Sequence, residues 1–253
     1  MLRDAFPEDP ALDLAVGHAL LAQVAADRSE PVLRLYRPGP TVAFGRLDAL
    51  LPGYAAAAEA AREHGFEPVL RSPGGHAAAY DAGSLCLEHV TPQPHAYDGL
   101  QERFEDAAGR IAAALRSLGA DARIGEVPGE YCPGRFSVHA GGVKIAGTAQ
   151  RAVRGAALLG VSLVVTGGDR VRAVLRDVNA ALGLEWDERT AGALEDVLPG
   201  VTVEDVEAAL LRAYGADGRA AGTLGEATIT RARGLVDHHR LPAAPRRPRR
   251  AAC

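Results

Sequence analysis

The sequence predicts an α/β protein built around one large domain. Its 253 residues are enough to bury a substantial core, and one domain with or without a small appendage accounts for that length. Apolar residues recur at helical spacing in several segments, and short segments with strand character lie between them. The run VRGAALLGVSLVV, residues 153–165, is almost continuously apolar, which is typical of a strand in the middle of a sheet.

The N-terminal part of the chain is expected to contain two helices and three strands. Residues 10–26 carry apolar side chains at helical spacing, and an alanine-rich helix over 52–64 ends at Gly65. Short strands are predicted at 32–36, 41–44 and 67–70. We expect the first two strands to pair as a hairpin, because they flank the turn Pro38-Gly39-Pro40.

The next segment contains a turn that can approach a ligand closely. Arg71 precedes Ser-Pro-Gly-Gly, in which Gly74 and Gly75 lack a Cβ atom. Taken alone, this pattern is more typical of a tight hairpin turn with a surface arginine, and it matches neither a Walker A loop nor GxGxxG. Residues 77–80 and 84–90 are predicted to be paired strands, with Cys86 a buried, unreactive thiol in the second.

The second half of the chain is predicted to alternate in the same way. The longest helical pattern covers residues 98–118 and ends at Gly119. Strands are expected at 136–140, 143–148 and 155–165. Further helices are predicted from Asp169 to about Leu182, after the N-cap Thr202, and over 223–239.

We place the main domain at residues 1–218, in which residues 184–218 form a small helical appendage. Residues 219–253 are expected to be a C-terminal extension, a helix followed by a disordered tail. The tail LPAAPRRPRRAAC is basic, but it is short and has no aromatic residues. A solvated tail is therefore favoured over a nucleic-acid arm.

Composition and charge exclude several classes of protein. The net charge of −4 gives no overall attraction to nucleic acid or to an anionic membrane. No apolar run approaches membrane-spanning length, and the N-terminus is acidic where a secretory signal would be basic, so we expect a soluble cytoplasmic protein. The cysteines, Cys86, Cys132 and Cys253, have no metal-ligand spacing, and their odd number argues against a disulfide framework.

A cysteine and a lysine stand out between Gly125 and Gly155. Cys132 lies between Tyr131 and a Pro-Gly turn, and Lys144 is the only lysine in the chain. Because arginine is the usual cation of this sequence, a lysine here suggests that an amine is needed. A thiolate is a nucleophile that a nearby cation favours, so the pair is suited to covalent acyl transfer. Taken alone, each residue is more often a packed thiol or a surface cation.

Two segments together resemble a known superfamily, that of the lipoate ligases, octanoyltransferases and biotin ligases. RSPGGHAAAYDAG, residues 71–83, is similar to its RRxxGGxxVxxD turn, and GGVKIAGTAQR, residues 141–151, is similar to its GKKisGsAQ strand pair. Order and spacing also fit, so the resemblance covers roughly residues 10–215. It implies the biotin/lipoate ligase catalytic-domain fold, an α/β (α+β) fold with a mixed β-sheet flanked by helices, and a tunnel for a medium-chain acyl group.

Departures from the ligase pattern favour a transferase branch. The ATP-using ligases have a third glycine where this chain has His76, a histidine at Tyr80 and an asparagine at Ser84, which argues against adenylate binding. The segment EYCPGRFSVHAGGVKIAGTAQRAVR resembles instead the octanoyl-[glycine cleavage H protein]:protein octanoyltransferases, which carry SYCPG and a lysine at the same offset. Ser137 departs from that branch, where an aspartate is usual, so we expect the polar support of the site to differ.

The resemblance implies a role for each residue of the two motifs. Cys132 would attack the amide of an octanoyl or lipoyl group on a donor lipoyl domain, and Lys144 would hydrogen-bond the acyl carbonyl and favour the thiolate. The acyl-binding residues that it implies are Arg71, Gly74, Gly75, His76, Ala77, Gly147, Thr148 and Ala149. No metal or other cofactor is expected. The partners would be glycine cleavage H protein and the acyltransferase subunits of 2-oxoacid dehydrogenases.

Several alternatives stay open at this point. A lipoate–protein ligase would activate the free acid with ATP and Mg²⁺, and octanoyl acyl carrier protein would supply the acyl group to the same kind of thiol. A protein that binds the acyl group or a lipoyl domain without turnover would form no adduct at Cys132. Biotin attachment is less favoured, because the YCPG segment has no role in it. No helper base is identified, although His76 and His139 lie near the two motifs.

Overall fold

The computed structural model describes residues 1–27, 30–95 and 98–241, which form two β-sheets covered by helices. The helices are α1 (Pro10–Asp27), α2 (Tyr54–Glu63), α3 (Leu100–Ser117), α4 (Gly168–Leu182), α5 (Val203–Ala213) and α6 (Glu226–Leu235). The strands are β1 (Val32–Tyr36), β2 (Thr41–Phe44), β3 (Glu67–Leu70), β4 (Ala78–Tyr80), β5 (Ser84–Gln93), β6 (Arg123–Ile124), β7 (Val138–Ala140), β8 (Val143–Val153) and β9 (Gly155–Val164).

The larger sheet has the strand order β1-β5-β9-β8-β7-β6, and every neighbouring pair in it is antiparallel. The apolar run that we predicted to be a central strand is β9, which lies between β5 and β8 and is buried along most of its length. Strands buried on both faces read as continuous apolar runs, which is why the sequence identified this one. The prediction is confirmed.

The smaller sheet has the order β3-β2-β4, and it mixes parallel with antiparallel pairing. Strands β2 and β3 are parallel, as expected for strands joined through the crossover helix α2, and β2 and β4 are antiparallel. Helices α2 and α4 pack against each other and enclose a core with this sheet. The expected α/β class, with a mixed sheet and flanking helices, is confirmed.

The predicted hairpin between β1 and β2 is wrong. Strand β1 pairs with β5 in the large sheet, whereas β2 pairs with β3 and β4 in the small one. The turn between them packs on the N-terminal segment, so closely that a Cβ atom on Gly39 would lie 1.9 Å from the carbonyl oxygen of Pro7. This contact, together with two prolines that donate no backbone hydrogen bond, turns the chain from one sheet into the other.

The predicted pairing of residues 77–80 with residues 84–90 is also wrong. Strand β5 instead pairs with β9 over ten residues and with β1 over five. Strand β4 has only three residues, so it could form fewer hydrogen bonds with β5 than either of these strands does. The chain bends at Asp81, whose carboxylate accepts the Gly83 N–H and pairs with Arg170 of α4 at 2.9 Å. Asp81 therefore ends β4 on the small sheet, beside α4.

The remaining helices cover the large sheet. Helices α3 and α5 pack together on one face, and α1 and α6 pack together on the other. Residues 219–241 add backbone bridges to this arrangement, with Gly222 beside Leu2 and Arg240 beside Val69. The helix expected over 223–239 is α6 followed by a short 3-10 turn, and the tail expected to be disordered lies outside the described residues. In the described part of the chain, no helix is long and apolar enough to cross a membrane.

Candidate active site

Cys132 lies in the turn that connects β6 to β7, and its backbone conformation is unusual. Its φ is 46°, and among the described residues it is the only non-glycine residue with positive φ. The left-handed conformation costs an L-residue roughly 1–2 kcal/mol, so such a residue persists only where its surroundings fix it. The turn around Cys132 must therefore be held by specific contacts.

Lys144 supplies two of these contacts. Its Nζ donates to the carbonyl oxygen of Cys132 at 2.7 Å and to that of Tyr131 at 3.2 Å. The side chain comes from β8 and is only 3% exposed. Burial lowers the pKa of the Lys144 ammonium below its ordinary value, and the neighbouring Glu130 and Cys132 oppose that shift. The only lysine side chain of the protein is thus hydrogen-bonded to the backbone of the cysteine turn.

Glu130, at the start of the turn, is buried and binds three groups. One carboxylate oxygen accepts the backbone N–H of Gly134 and the hydroxyl of Ser137, both at 2.8 Å. The other lies 3.4 Å from Lys144 Nζ and is the anionic half of an ion pair. Ser137 occupies the position where the related sequences usually have an aspartate. Its hydroxyl is therefore hydrogen-bonded to a carboxylate of the same turn, that of Glu130.

The sulfur of Cys132 packs against the predicted glycine turn. The backbone N–H of His76 donates to Sγ at 3.2 Å, and the guanidinium of Arg71 lies 3.7 Å from it. Gly75 has a φ of 94°, and a Cβ atom there would lie 2.9 Å from Sγ and 2.5 Å from the Arg71 guanidinium. Only glycine fits this position, and its lack of a Cβ atom allows the glycine turn to contact the cysteine turn directly.

A cavity of about 470 Å³ opens beside the cysteine and lysine. The predicted site residues that line it are Arg71, Gly74, Gly75, Cys132, Lys144, Gly147, Thr148 and Ala149. Its apolar wall includes Phe104 and Phe136, whose rings are stacked 5.1 Å apart. The structure therefore brings both sequence motifs to one cavity.

Two of the predicted acyl-binding residues, His76 and Ala77, do not line this cavity. The His76 ring turns away to the buried carboxylate of Asp48, with Nδ1 2.7 Å from Oδ1, so His76 meets the site through its backbone N–H. Ala77 is buried in the core of the small sheet. The other histidine near the motifs, His139, lies in β7 opposite Lys144.

A smaller cavity of about 70 Å³ adjoins the first. The two share the lining residues Arg71, Gly147, Ala149 and Ser162, and the smaller one runs between α1 and the large sheet to Tyr80 and Leu158. The two cavities therefore lie next to each other, and the thiol lines the larger of the two. Cys86 lines the smaller cavity, and burial raises the pKa of its thiol, in agreement with the predicted unreactive cysteine.

Sequence reasoning missed two groups at the site. Glu130 and Asp48 are buried carboxylates that hold the cysteine turn and His76 respectively. Their only sequence signal is an acidic residue in a short loop, which is usually solvated. Among residues 1–27, 30–95 and 98–241, no group of three or more His, Cys, Asp or Glu side chains is arranged to hold a metal ion.

Comparison with known sequences identifies relatives of this chain. An octanoyl-[GcvH]:protein N-octanoyltransferase of Geobacillus kaustophilus is 34% identical over 193 residues, which cover 76% of this chain and 68% of the relative. One of Exiguobacterium sibiricum is 32% identical over 212 residues, covering 79% and 75%. A Moorella thermoacetica octanoyltransferase, LipM, is 29% identical over 236 residues, covering 84% and 85%.

Solved structures share the fold. A lipoate-protein ligase A bound with ATP superposes with a TM-score of 0.73 and 24% identity, over 93% of each chain. The bi-partite lipoate protein ligase of Thermoplasma acidophilum gives a TM-score of 0.72 and 24% identity, covering 93% of this chain and 91% of that one. At this identity the likeness concerns the fold alone. The lipoyl protein ligase A/B catalytic domain matches residues 9–215, and the chain therefore belongs to that family.

Proposed function

We propose that the protein is a cysteine-dependent acyltransferase of protein lipoylation, which moves an octanoyl or lipoyl group onto a lysine of a lipoyl domain. The single observation that carries this proposal is the position of the Cys132 thiol. It lies at the wall of the large cavity, accepts a hydrogen bond from His76 N–H, and is 3.7 Å from a guanidinium. Relatives that are named octanoyltransferases at 34% and 32% identity support the same reaction.

The proposed reaction has two halves. In the first, the Cys132 thiolate attacks the carbonyl carbon of an acyl amide on the donor domain, the C–N bond breaks, and the donor lysine leaves as an amine after taking up a proton. A thioester remains on the enzyme. In the second, the amine of the acceptor lysine attacks the thioester, loses a proton and releases the thiolate. The nucleophile divides one difficult amide exchange into two easier steps.

Positive groups around the sulfur support the thiolate form. Arg71 and Lys144 are cations at the cavity, and the His76 N–H adds a fixed dipole aimed at the sulfur. An ammonium group has three N–H donors, and two of those on Lys144 go to backbone carbonyls. The Glu130 oxygen 3.4 Å away accepts no hydrogen bond from Lys144, so we assign the remaining donor to the acyl carbonyl, where it would stabilise the negative charge that develops on oxygen.

We assign the acyl chain to these two neighbouring cavities, with its carbonyl end at the thiol. The first cavity offers the stacked Phe104 and Phe136 and residues 147–149 of β8, and the smaller cavity adjoins it beside α1. Predominantly apolar pockets of this kind suit a medium-chain acyl group. The proposed partners are glycine cleavage H protein, named in the relatives' descriptions, and the acyltransferase subunits of 2-oxoacid dehydrogenases as acceptors. Acyl carrier protein is a further candidate donor.

Intact-protein mass spectrometry tests the proposal directly. The protein is incubated without ATP with octanoylated H protein or with octanoyl acyl carrier protein, and then weighed. We expect a mass increase of one octanoyl group, located by proteolysis on the peptide that contains Cys132, and loss of that increase in Cys132→Ser. Cys253→Ser, the matched cysteine control, should be acylated like the parent.

Three outcomes would contradict the proposal. If the Cys132→Ser protein still transfers the acyl group, the thiol is not the nucleophile. If acyl transfer requires ATP and an acyl adenylate accumulates from free octanoate or lipoate, the protein is a ligase. Tight acyl binding with no covalent adduct would identify a binding protein without turnover.

A further inference from the structure

Glu130 is a buried charged residue at the site that the proposed acyl-transfer steps do not use. Glu130 is 2% exposed, comes from the turn that carries the nucleophile, and reaches Lys144 with one oxygen while the other binds Gly134 and Ser137. A buried carboxylate is costly unless it is paired and hydrogen-bonded. Its retention beside the thiol calls for a reason beyond packing.

The first reason lies in the environment of Lys144. The ammonium is almost fully buried, and burial favours the neutral amine. The charged groups that act on it are the carboxylate of Glu130 and the thiolate of Cys132, which favour the ammonium, and the guanidinium of Arg71, which opposes it. The Tyr131 ring lies 4.9 Å from Nζ, and on the neighbouring strand His139 is paired with Lys144. Glu130 is the only carboxylate among these groups, and one of its oxygens lies 3.4 Å from Nζ.

The second reason lies in the backbone of the cysteine turn. Lys144 holds the carbonyls of Tyr131 and Cys132, and Glu130 holds the N–H of Gly134, so the two side chains fix the turn on both sides of the nucleophile. The ion pair joins these two supports to each other. Cys132 keeps its left-handed conformation between them. A neutral amine could still donate to both carbonyls, but it would no longer place a positive charge beside the cysteine turn.

We propose that Glu130 is a positioning residue whose charge keeps Lys144 an ammonium and holds it against the cysteine turn, so that the thiolate of Cys132 stays reactive. The inference rests on the proposed acyl transfer through Cys132. Glu130 touches neither the sulfur nor the acyl group in this scheme, and it acts through Lys144 and the turn.

The sole lysine makes this proposal directly measurable. Protein produced with lysine labelled with ¹³C at Cε gives one lysine side-chain signal, from Lys144, whose chemical shift reports whether Nζ carries its third proton. We expect the full-length parent protein to show an ammonium at pH 7.5. A neutral amine at that pH would overturn the proposal without any variant being made.

Glu130→Gln removes the charge but keeps an oxygen that can accept from Gly134 and Ser137. We expect the titration midpoint of Lys144 to fall by about one pH unit or more, a tenfold change in its protonation equilibrium. We also expect alkylation of Cys132 by iodoacetamide at pH 7.5 to slow by about fivefold or more. Removal of a neighbouring negative charge would by itself speed alkylation, so an unchanged midpoint with faster alkylation would overturn the proposal.

A second variant separates charge from local structure. The Ser137 hydroxyl is 2.8 Å from the Glu130 carboxylate, so Ser137→Asp returns a carboxylate to the same space. In the Glu130→Gln background it should restore the midpoint and the alkylation rate, whereas Ser137→Ala should not. If Ser137→Asp restores neither, the proposal fails. Because neither readout uses an acyl substrate, they stand or fall separately from the acylation experiment that tests the transferase assignment.

Discussion

Two buried charge clusters of this protein use different cations. Beneath α1, Arg34 is completely buried and binds the carboxylates of Asp13 and Glu88, the second at 3.1 Å. At the cavity, Lys144 pairs with Glu130. Arginine remains charged in any protein environment, whereas a buried lysine changes its protonation readily. The cluster that joins secondary-structure elements therefore has a permanent cation, and the cluster beside the thiol has one that its surroundings can adjust.

The hydrogen bonds of the two cations reflect the same difference. Arg34 also donates to the carbonyls of Asp4 and Asp13, and its guanidinium lies 3.8 Å from the centre of the Tyr36 ring, so it ties the N-terminal segment and α1 to β1. Lys144 donates only within the neighbouring cysteine turn. We conclude that Arg34 stabilises the fold, whereas Lys144 stabilises one local conformation at the site.

The largest predicted effect comes from breaking the structural cluster. Arg34→Met leaves Asp13 and Glu88 as buried carboxylates without their cation, and we expect the free energy of unfolding to fall by about 3–5 kcal/mol. Urea denaturation measures this change. Arg123→Met is the matched control, because Arg123 and Asp121 form an exposed ion pair whose loss should change the stability far less. An equal loss of unfolding free energy in the two variants would show that the buried Arg34 cluster does not stabilise the fold.

The next effect breaks the site while leaving the structural cluster intact. Gly75→Ala places a Cβ atom 2.9 Å from Sγ of Cys132 in a backbone with φ of 94°. A displacement of the thiol by about 1 Å should slow acylation of Cys132 roughly a hundredfold. Mass spectrometry at timed intervals measures this rate. Gly142→Ala separates strain from contact, because Gly142 has a φ of 80° and open space around it. Similar acylation rates for the two variants would rule out the contact with the thiol as the cause.

The smallest effect concerns a third buried base, His239, which contacts His18 and the carbonyl of Leu70. Burial lowers the pKa of His239 to about 4, from an ordinary value near 6.5. The folded state therefore binds fewer protons than the unfolded chain between these values, and stability should fall as the pH falls through this window, by roughly 2 kcal/mol. Urea denaturation at pH 7.5 and 4.5 measures the fall, which should be smaller in His239→Gln. If both proteins lose the same stability, His239 does not titrate as inferred.

Local sequence patterns predicted the elements of the fold but not how strands pair. The apolar spacing in α1, α3 and α5 and the continuous apolar run of β9 depend on a few neighbouring residues, and these predictions are confirmed. Both predicted hairpins are wrong, because the choice of a strand partner depends on distant contacts. Gly39 against Pro7 and Asp81 against Arg170 are two such contacts.

The site shows the same division between local and distant information. Cys132 and Lys144 were identified because the lysine is unique in the sequence and the cysteine lies in a distinctive turn, and both line one cavity. Glu130 was not identified, because nothing in its sequence neighbourhood distinguishes a buried carboxylate from a solvated one. Its partner Lys144 lies in β8, which pairs with β7 directly after the loop that carries Glu130 and Ser137.

The burial of the only lysine has a consequence for the specificity of the enzyme. A thioester is open to attack by any accessible amine, and the proposed mechanism places a thioester on Cys132 of the protein itself. Arginine, the cation used everywhere else in this chain, is not an acyl acceptor at neutral pH because it stays protonated. Lys144 is only 3% exposed, so the protein has no surface lysine that its own thioester could acylate. The lysine side chains that can reach the thioester are therefore those of the partner protein.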